Sequence, residues 1–240
     1  MIKKIKKLIR EHRKTQKKSY LLLKELEWAQ IYHDSIRGKT SIEALPLNVG
    51  RWAGNYTFFY LLNRILTDFK PKKIIEFGLG ESTKFISIFI DNYLKESTLK
   101  TIEHDDKWTS LFLENFKISK QVDIQVLSLV ENEVHENITY GYNNVENVIL
   151  EIYDLYIIDG PFGTPKYSRY DIVNLASKFN SMSRFIILMD DYDRNGEKQT
   201  AQELVKIFKS KDIEVFAKEY IGNKSVFLIA TKQYKHIMSL

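Results

Sequence analysis

Apolar residues recur along the chain with two periods, and the change between them falls near Pro71. Before it the recurrence is helical. Ile2, Ile5, Leu8 and Ile9 repeat among lysines, and Leu22, Leu23, Leu26, Ala29 and Tyr32 or His33 share one side of a helix predicted over 19–37. Residues 38–54 hold Gly38, Pro46, Gly50 and Gly54 and read as irregular, after which Asn55 caps a helix reaching Asp68. Beyond Pro71, strands are expected at 73–77, 99–103, 123–127, 155–158, 185–189, 214–217 and 225–230, with helices at 82–94, 106–117, 168–180 and 197–210. This alternation predicts an α/β fold, a Rossmann-like seven-stranded, mostly parallel sheet with helices on both faces. Tyr220–Lys224, with Gly222 and Asn223, is short enough for a hairpin, so one C-terminal edge strand should run antiparallel. The organisation expected is a basic arm and helical extension over 1–70, then one α/β domain over 71–240. A ligand should sit outside the carboxyl ends of the strands, where their order reverses.

Composition adds exclusions. The 240 residues are 44% hydrophobic and 28% charged, which excludes a disordered chain, a collagen and a bare coiled coil. There is no cysteine, hence no disulfide, thiolate zinc site or cysteine nucleophile, and a reducing, cytoplasmic setting is expected. Charge changes the picture more. A net +5 and a pI near 9.0 invite a nucleic-acid partner. Yet residues 1–18 carry nine Lys and Arg against Glu11 alone, and the remainder has a net charge of −3. No nucleic-acid partner is therefore expected. The arm lacks the apolar run of about 7–15 residues of a secretory signal, and no segment approaches the ~20 of a membrane span. It reads either as a basic amphipathic helix on an anionic leaflet, peripheral on the inner face of the cell membrane, or as a solvated or packing arm.

Candidate chemistry gathers at the predicted strand ends. The first strand runs into Gly78-Leu79-Gly80, where two glycines let the backbone turn tightly and approach a ligand, and Ser82 or Thr83 can cap the next helix. Thr83 stands where GxGxxG would have its third glycine, which disfavours a nicotinamide dinucleotide. Glu103 closes the second strand about 20 residues later, placed to accept hydrogen bonds from both ribose hydroxyls. Asp159 ends the fourth strand ahead of Gly160-Pro161, and could take a proton from a hydroxyl, bind a cation that acidifies it, or simply form an Asx turn. Asp190 and Asp191 end the fifth in the same way. Three carboxylates on one edge repel unless a cation intervenes. A divalent ion such as Mg²⁺ is one solution and Arg169 or Arg194 the other, with arginine favoured; a guanidinium can also grip a uronic acid carboxylate of a substrate. Trp108 reads either as a border to a bound base or as packing, Arg51–Asn55 as a lid, and Glu131–Asn147 as an acceptor-binding insertion or a loop.

Over roughly 72–232 these residues resemble the class I S-adenosylmethionine-dependent methyltransferases. Glu76-Phe77-Gly78-Leu79-Gly80 is similar to that superfamily's first motif, which implies that Glu76 meets the methionine amino group and that Glu103 holds the ribose. More narrowly, FGLGxxS/T, the Ile102-Glu103-His104-Asp105 strand end with Trp108, Asp159-Gly160-Pro161 with Gly163 and Arg169, and Asp191-Tyr192-Asp193-Arg194 with Glu197 resemble the glucuronoxylan 4-O-methyltransferases. Asp190 stands where that family is expected to carry a histidine, and the first 70 residues lie outside the likeness. The resemblance implies an enzyme with S-adenosylmethionine as cofactor, a divalent cation as an open alternative, and methyl transfer to a sugar hydroxyl of a polysaccharide or its precursor. Asp159 and Asp191 would be catalytic; Glu76, Gly78, Gly80, Ser82, Thr83, Glu103 and Asp159 would hold the cofactor; Arg169 and Arg194 would hold the glycan. The alternatives are a metal-dependent O-methyltransferase of a small hydroxylated molecule and an inactive membrane-docking module.

Overall fold

The computed structural model describes residues 2–50 and 52–240, so Met1 and the Arg51 of the expected lid lie outside the described residues. The chain opens with α1 (Ile2–Ile36), a short α2 (Thr40–Glu43) and α3 (Tyr56–Asp68). There follow β1 (Lys73–Phe77), α4 (Glu81–Tyr93), β2 (Thr98–Glu103), α5 (Asp106–Asn115) and β3 (Val122–Val126). A hairpin, β4 (Leu129–Val134) and β5 (Asn137–Tyr142), and a turn of helix, α6 (Val145–Val148), precede β6 (Leu155–Ile158). The rest is α7 (Asp171–Leu175), β7 (Ile186–Met189), α8 (Asn195–Ser210), β8 (Val215–Ile221), β9 (Ser225–Thr231) and a final 3-10 turn.

Seven strands form one sheet in the order β3-β2-β1-β6-β7-β9-β8. The seven expected strands are therefore present. The reversed one is β9, antiparallel to both β7 and β8, so it lies one place in from the edge where an edge strand was expected. The central strands are apolar on both faces, as a covered parallel sheet requires. Neighbouring residues go to opposite cores: Ile74, Ile157 and Leu188 to one, Ile75, Ile158 and Ile187 to the other. The first core continues into Phe58, Phe59 and Leu62 of α3 and Phe85 and Phe89 of α4; the second takes Leu204 and Phe208 of α8. Order reverses between β1 and β6, which opens a crevice at their carboxyl ends.

Three local expectations change. The basic arm and the helix of 19–37 are one helix of 35 residues, because no glycine or proline interrupts the chain before Gly38, whose φ of +82° ends it. The stretch Glu131–Asn147 contains most of the β4–β5 hairpin. Its two-residue turn is His135-Glu136, both at positive φ, where Asn-Gly would have been recognisable. The helix expected over 168–180 begins only at Asp171, leaving Arg169 in the preceding turn.

Only the last third of α1 meets the body. Every described residue from Lys3 to Tyr20 is exposed, whereas Tyr32 and Ile36 join the first core and Trp28 donates its indole N–H to the Ile221 carbonyl at 2.9 Å. Among the described residues, no helix is long and apolar enough to cross a membrane. Glu25 forms a clasp: its carboxylate accepts from Tyr56 N (2.7 Å), Asn55 Nδ2 (2.8 Å) and Asn223 N (2.9 Å). Glu25→Ala should lower the unfolding free energy by roughly 1.5–3 kcal/mol, the range for hydrogen bonds to a charged group. The readout is a lower urea midpoint at unchanged slope; an unmoved midpoint would mean that α1 is held by its aromatic contacts alone.

Candidate active site

The crevice is a cleft of about 740 Å³ lined by the β1–α4 loop, the ends of β2, β6 and β7, and residues 48–50 and 52–54. Gly78 has φ +100° and donates its N–H to Ile102 O at 2.8 Å, which ties the loop to β2. A Cβ on Gly78 would come within 3.1 Å of Gly160 N, and one on Gly160 within 2.8 Å of Gly78 N. These two glycines let the ends of β1 and β6 touch backbone to backbone. Gly80 differs. It is extended, and a Cβ there would meet nothing within 4 Å, so its free side opens on the cleft it lines.

Glu76 does not reach the cleft wall, contrary to what the resemblance implied. It is fully buried beneath the loop, where Oε2 accepts from Thr83 Oγ1 (2.6 Å) and Thr101 Oγ1 (3.2 Å), and Oε1 has no partner. Burial pushes its carboxyl up to about 7, against the opposing pull of the Ser82, Thr83 and Thr101 hydroxyls. Thr83 also accepts from Gly80 N at 3.0 Å, so Glu76 shapes the loop through Thr83. Ser82 lines the cleft and Thr83 lies below it; the residue at the helix N-cap is Gly80 rather than either of them.

Glu103 does line the cleft, and it is tied to the backbone around it. Oε2 accepts from Leu79 N (2.9 Å), and Oε1 from His104 N (2.6 Å) and Asp105 N (2.9 Å). Asp105 caps α5 through Trp108 N, and the Trp108 indole donates to Leu79 O at 2.8 Å. The indole thus forms a half-exposed wall beside the glycine loop.

Across the cleft, Arg169 is buried in a shell of acceptors. Nε donates to Pro161 O, Nη1 to Ile158 O and Asp190 O, and Nη2 to Asp191 Oδ2 (2.9 Å), with Asp159 Oδ1 at 3.2 Å. Four of the five N–H groups of this guanidinium donate hydrogen bonds, and Asp159 adds an ion pair. Arg169, expected on the acceptor, lines the cleft while its hydrogen bonds tie together the ends of β6 and β7. Arg194 is the more open one: half exposed on the cleft wall, it pairs with Asp191 at 3.0 Å and more loosely with Glu197 at 3.8 Å. Lys224, in the β8–β9 turn, donates to Asp190 Oδ2 at 3.0 Å and sits 3.0 Å from Asp191 Oδ1 without the alignment of a hydrogen bond. Burial pushes Asp159 up to about 8, reinforced by Asp190 and opposed by Arg169 and Lys224. Burial also pushes Asp190 up, with Lys224 opposing. It presses on Asp191 too, but Arg169, Lys224 and Arg194 outweigh it and hold that carboxyl below its usual value.

The carboxylates of Asp159, Asp190 and Asp191 come within 4.8 Å of one another, close enough for one cation to hold all three. Arg169 and Lys224 already place positive charge between them, while Asp190 Oδ1 and Asp191 Oδ1 keep no hydrogen-bond partner. Sequence reasoning missed Lys224 because a lysine in a hairpin turn has no spacing signal. It also missed Tyr142, at the end of the unrecognised hairpin, whose buried hydroxyl lines the cleft without a partner. Trp52, from the expected lid, lines the mouth and is 96% exposed.

No protein-family model and no curated protein matches the chain. Solved structures do. An O-methyltransferase from Bacillus cereus in complex with SAH is 12% identical over 85% of this chain and 91% of its own, with a TM-score of 0.52. The O-methyltransferase TomG from Streptomyces achromogenes, involved in tomaymycin synthesis and in complex with SAM, is 11% identical over 89% and 98%, with a TM-score of 0.53. Such likeness establishes the fold, a Rossmann-like methyltransferase fold. The narrower resemblance to glucuronoxylan 4-O-methyltransferases is carried by sequence motifs alone.

The Glu76 environment has a measurable consequence. Its folded-state pKa, about 7, exceeds the ordinary 4.5, so folding favours the protonated form and stability falls as pH rises from 4.5 through 7. At 1.36 kcal/mol per unit, the loss is about 3 kcal/mol at most. Asp171 and Asp159, also pushed up by burial, act in the same direction. Glu76→Gln should show a shallower fall in melting temperature between pH 5 and about 8, and at the upper end should melt no lower than wild type. An unchanged slope would mean that Glu76 is charged in the folded protein.

Proposed function

We propose that this chain is an S-adenosylmethionine-dependent O-methyltransferase. The observation that carries the reading is one cleft at the strand-order reversal with a glycine loop and Glu103 on one side and Asp159, held by Arg169, on the other. The cleft's own features fit the cofactor. Gly80 leaves room for close approach, Ser82 and Glu103 offer polar groups at the loop, and the Trp108 indole supplies a flat wall. Bound there, the cofactor supplies an electrophilic methyl group on a sulfonium.

The remaining work falls to the protein. Methyl transfer to a hydroxyl forms no covalent enzyme intermediate, so the enzyme aligns donor and acceptor and accepts one proton. Asp159 suits the role of proton acceptor, because it faces the cleft, Arg169 fixes its orientation, and its carboxyl is poised near 8. A base in that range is close to the optimum for proton transfer at neutral pH. Asp191, locked between Arg169, Arg194 and Lys224, orients these partners.

For the acceptor we propose a sugar hydroxyl, with a hexuronic acid of a surface polysaccharide or its precursor as the favoured class and the cytoplasm as the setting. Arg194 supports this, because its half-exposed guanidinium can pair with a uronate carboxylate. A small hydroxylated molecule is the second reading, favoured by the tomaymycin pathway enzyme that shares the fold.

Calorimetry should detect S-adenosylmethionine binding to the wild type. Gly80→Ala should weaken it at least tenfold with an unchanged melting temperature, since the added methyl faces only the ligand's space. Full affinity in that variant would remove the loop from the site. Asp159→Asn should lose ~10²-fold or more in turnover with cofactor affinity intact. Wild-type turnover should rise with pH up to about 8 as Asp159 deprotonates, and that rise should vanish in the variant. Activity should survive a chelator; its loss would return the three carboxylates to a metal.

A further inference from the structure

The exposed part of α1 carries an apolar stripe that the body does not use. Eighteen residues make about five whole turns of an α-helix, so Ile5 lies in line with Leu23, and Leu8 with Leu26. All four are exposed, as is Ile9 beside them. Leu23 is half a turn round from Tyr32, which is buried in the core. The stripe therefore points away from the face by which α1 packs on the sheet. The nine basic residues of 1–18 occupy the other arc, with Lys4, Lys6 and Arg13 along its borders.

We propose that α1 seats the protein on an anionic membrane surface, with the stripe in the headgroup layer and the lysines and arginines on acidic lipid. Charge selects this occupant over a second copy. Two such helices paired in parallel through the stripe would set the bordering Lys4, Lys6 and Arg13 of both copies against one another across an interhelical spacing of about 10 Å, no more than the Debye length at 0.1 M salt, whereas acidic lipid attracts all nine bases. His12, Gln16 and Ser19 fall within the stripe and would be buried in that pairing, whereas an interfacial seat leaves them at the water boundary. The membrane-seated arm would also be close to the site. The Glu25 clasp binds α1 to Asn55 and to Asn223, whose neighbour Lys224 holds Asp190 at the cleft.

The test is sedimentation of the full chain with phosphatidylcholine vesicles with and without phosphatidylglycerol, read in the absence of cofactor and acceptor, so its outcome is separate from methyl transfer. The full chain should pellet with the anionic vesicles only and be released near 1 M salt, where the Debye length is about 3 Å. Changing Lys3, Lys4, Lys6 and Lys7 to Ser should weaken partitioning about 100-fold or more. Leu8→Ser with Ile9→Ser should weaken it at least tenfold, and both variants should keep the wild-type melting temperature because these side chains touch nothing in the body. Failure of the full chain to pellet, unchanged pelleting of the serine variants, or a solution dimer lost on deleting residues 2–18 would each overturn the proposal.

Discussion

A buried guanidinium is the constraint around which the site is built. Arg169 sits where β6 and β7 end, 3% exposed, and taking such an ion out of water costs several kcal/mol unless each N–H finds an acceptor. Three backbone carbonyls and the Asp191 carboxylate accept from it, and Asp159 offsets its charge at 3.2 Å. The backbone yields to it: Arg169 has φ +58° and Asp191 φ +57°, a conformation that costs a non-glycine residue about 1–2 kcal/mol. Strain of this kind persists only where its surroundings over-determine it. Here the ion pair between the two strained residues does so.

From that pair the division of labour among the acids follows. Asp190 and Asp191 are adjacent, yet the first is driven towards its neutral form by burial and the second is kept charged by three cations. Asp159 receives only part of Arg169, faces the cleft, and is left with a carboxyl that exchanges its proton near neutral pH. On the opposite side, Glu76 and Glu103 take no part in this charge cluster. Each braces the glycine loop, one from below through Thr83 and one at its rim through Leu79 N.

Much of this was legible in the sequence, for identifiable reasons. The central strands are apolar runs ending in a glycine or a carboxylate, so Gly78, Glu103, Asp159 and Asp191 fall at one edge once a parallel sheet is recognised. What escaped notice depends on tertiary pairing. The strand Leu129–Val134 alternates weakly, with Glu131, Asn132 and Glu133 at its centre, and its turn lacks glycine. Tyr142 was hidden with it. Glu76 looked like a ligand-facing acid by position in its motif, but strand alternation and depth put it under the loop. Arg169 looked free because no spacing rule shows that four acceptors will converge on it.

The rim of the cleft combines residues read from the sequence, Trp52 and Arg194, with the β4–β5 hairpin that was not. The glycine loop, β2 and β6 belong to a fold shared with enzymes only 11–12% identical, so they carry little that could distinguish one acceptor from another. Discrimination must come from what is added at the rim: Phe162 packed on Tyr140 of the hairpin at 5.0 Å, Trp52 at the mouth, Arg194 on the wall. An indole left 96% in water gains apolar burial only when something covers it, and the apolar C–H face of a uronic acid ring would do so while its carboxylate reached a guanidinium. Specificity of that sort rests on few atoms, because a hydrogen-bonding site rejects an analogue lacking its partner far more strongly than an apolar wall rejects a shape. In the proposed reading, Arg194 is therefore the residue on which the choice between a uronic acid and a neutral acceptor turns.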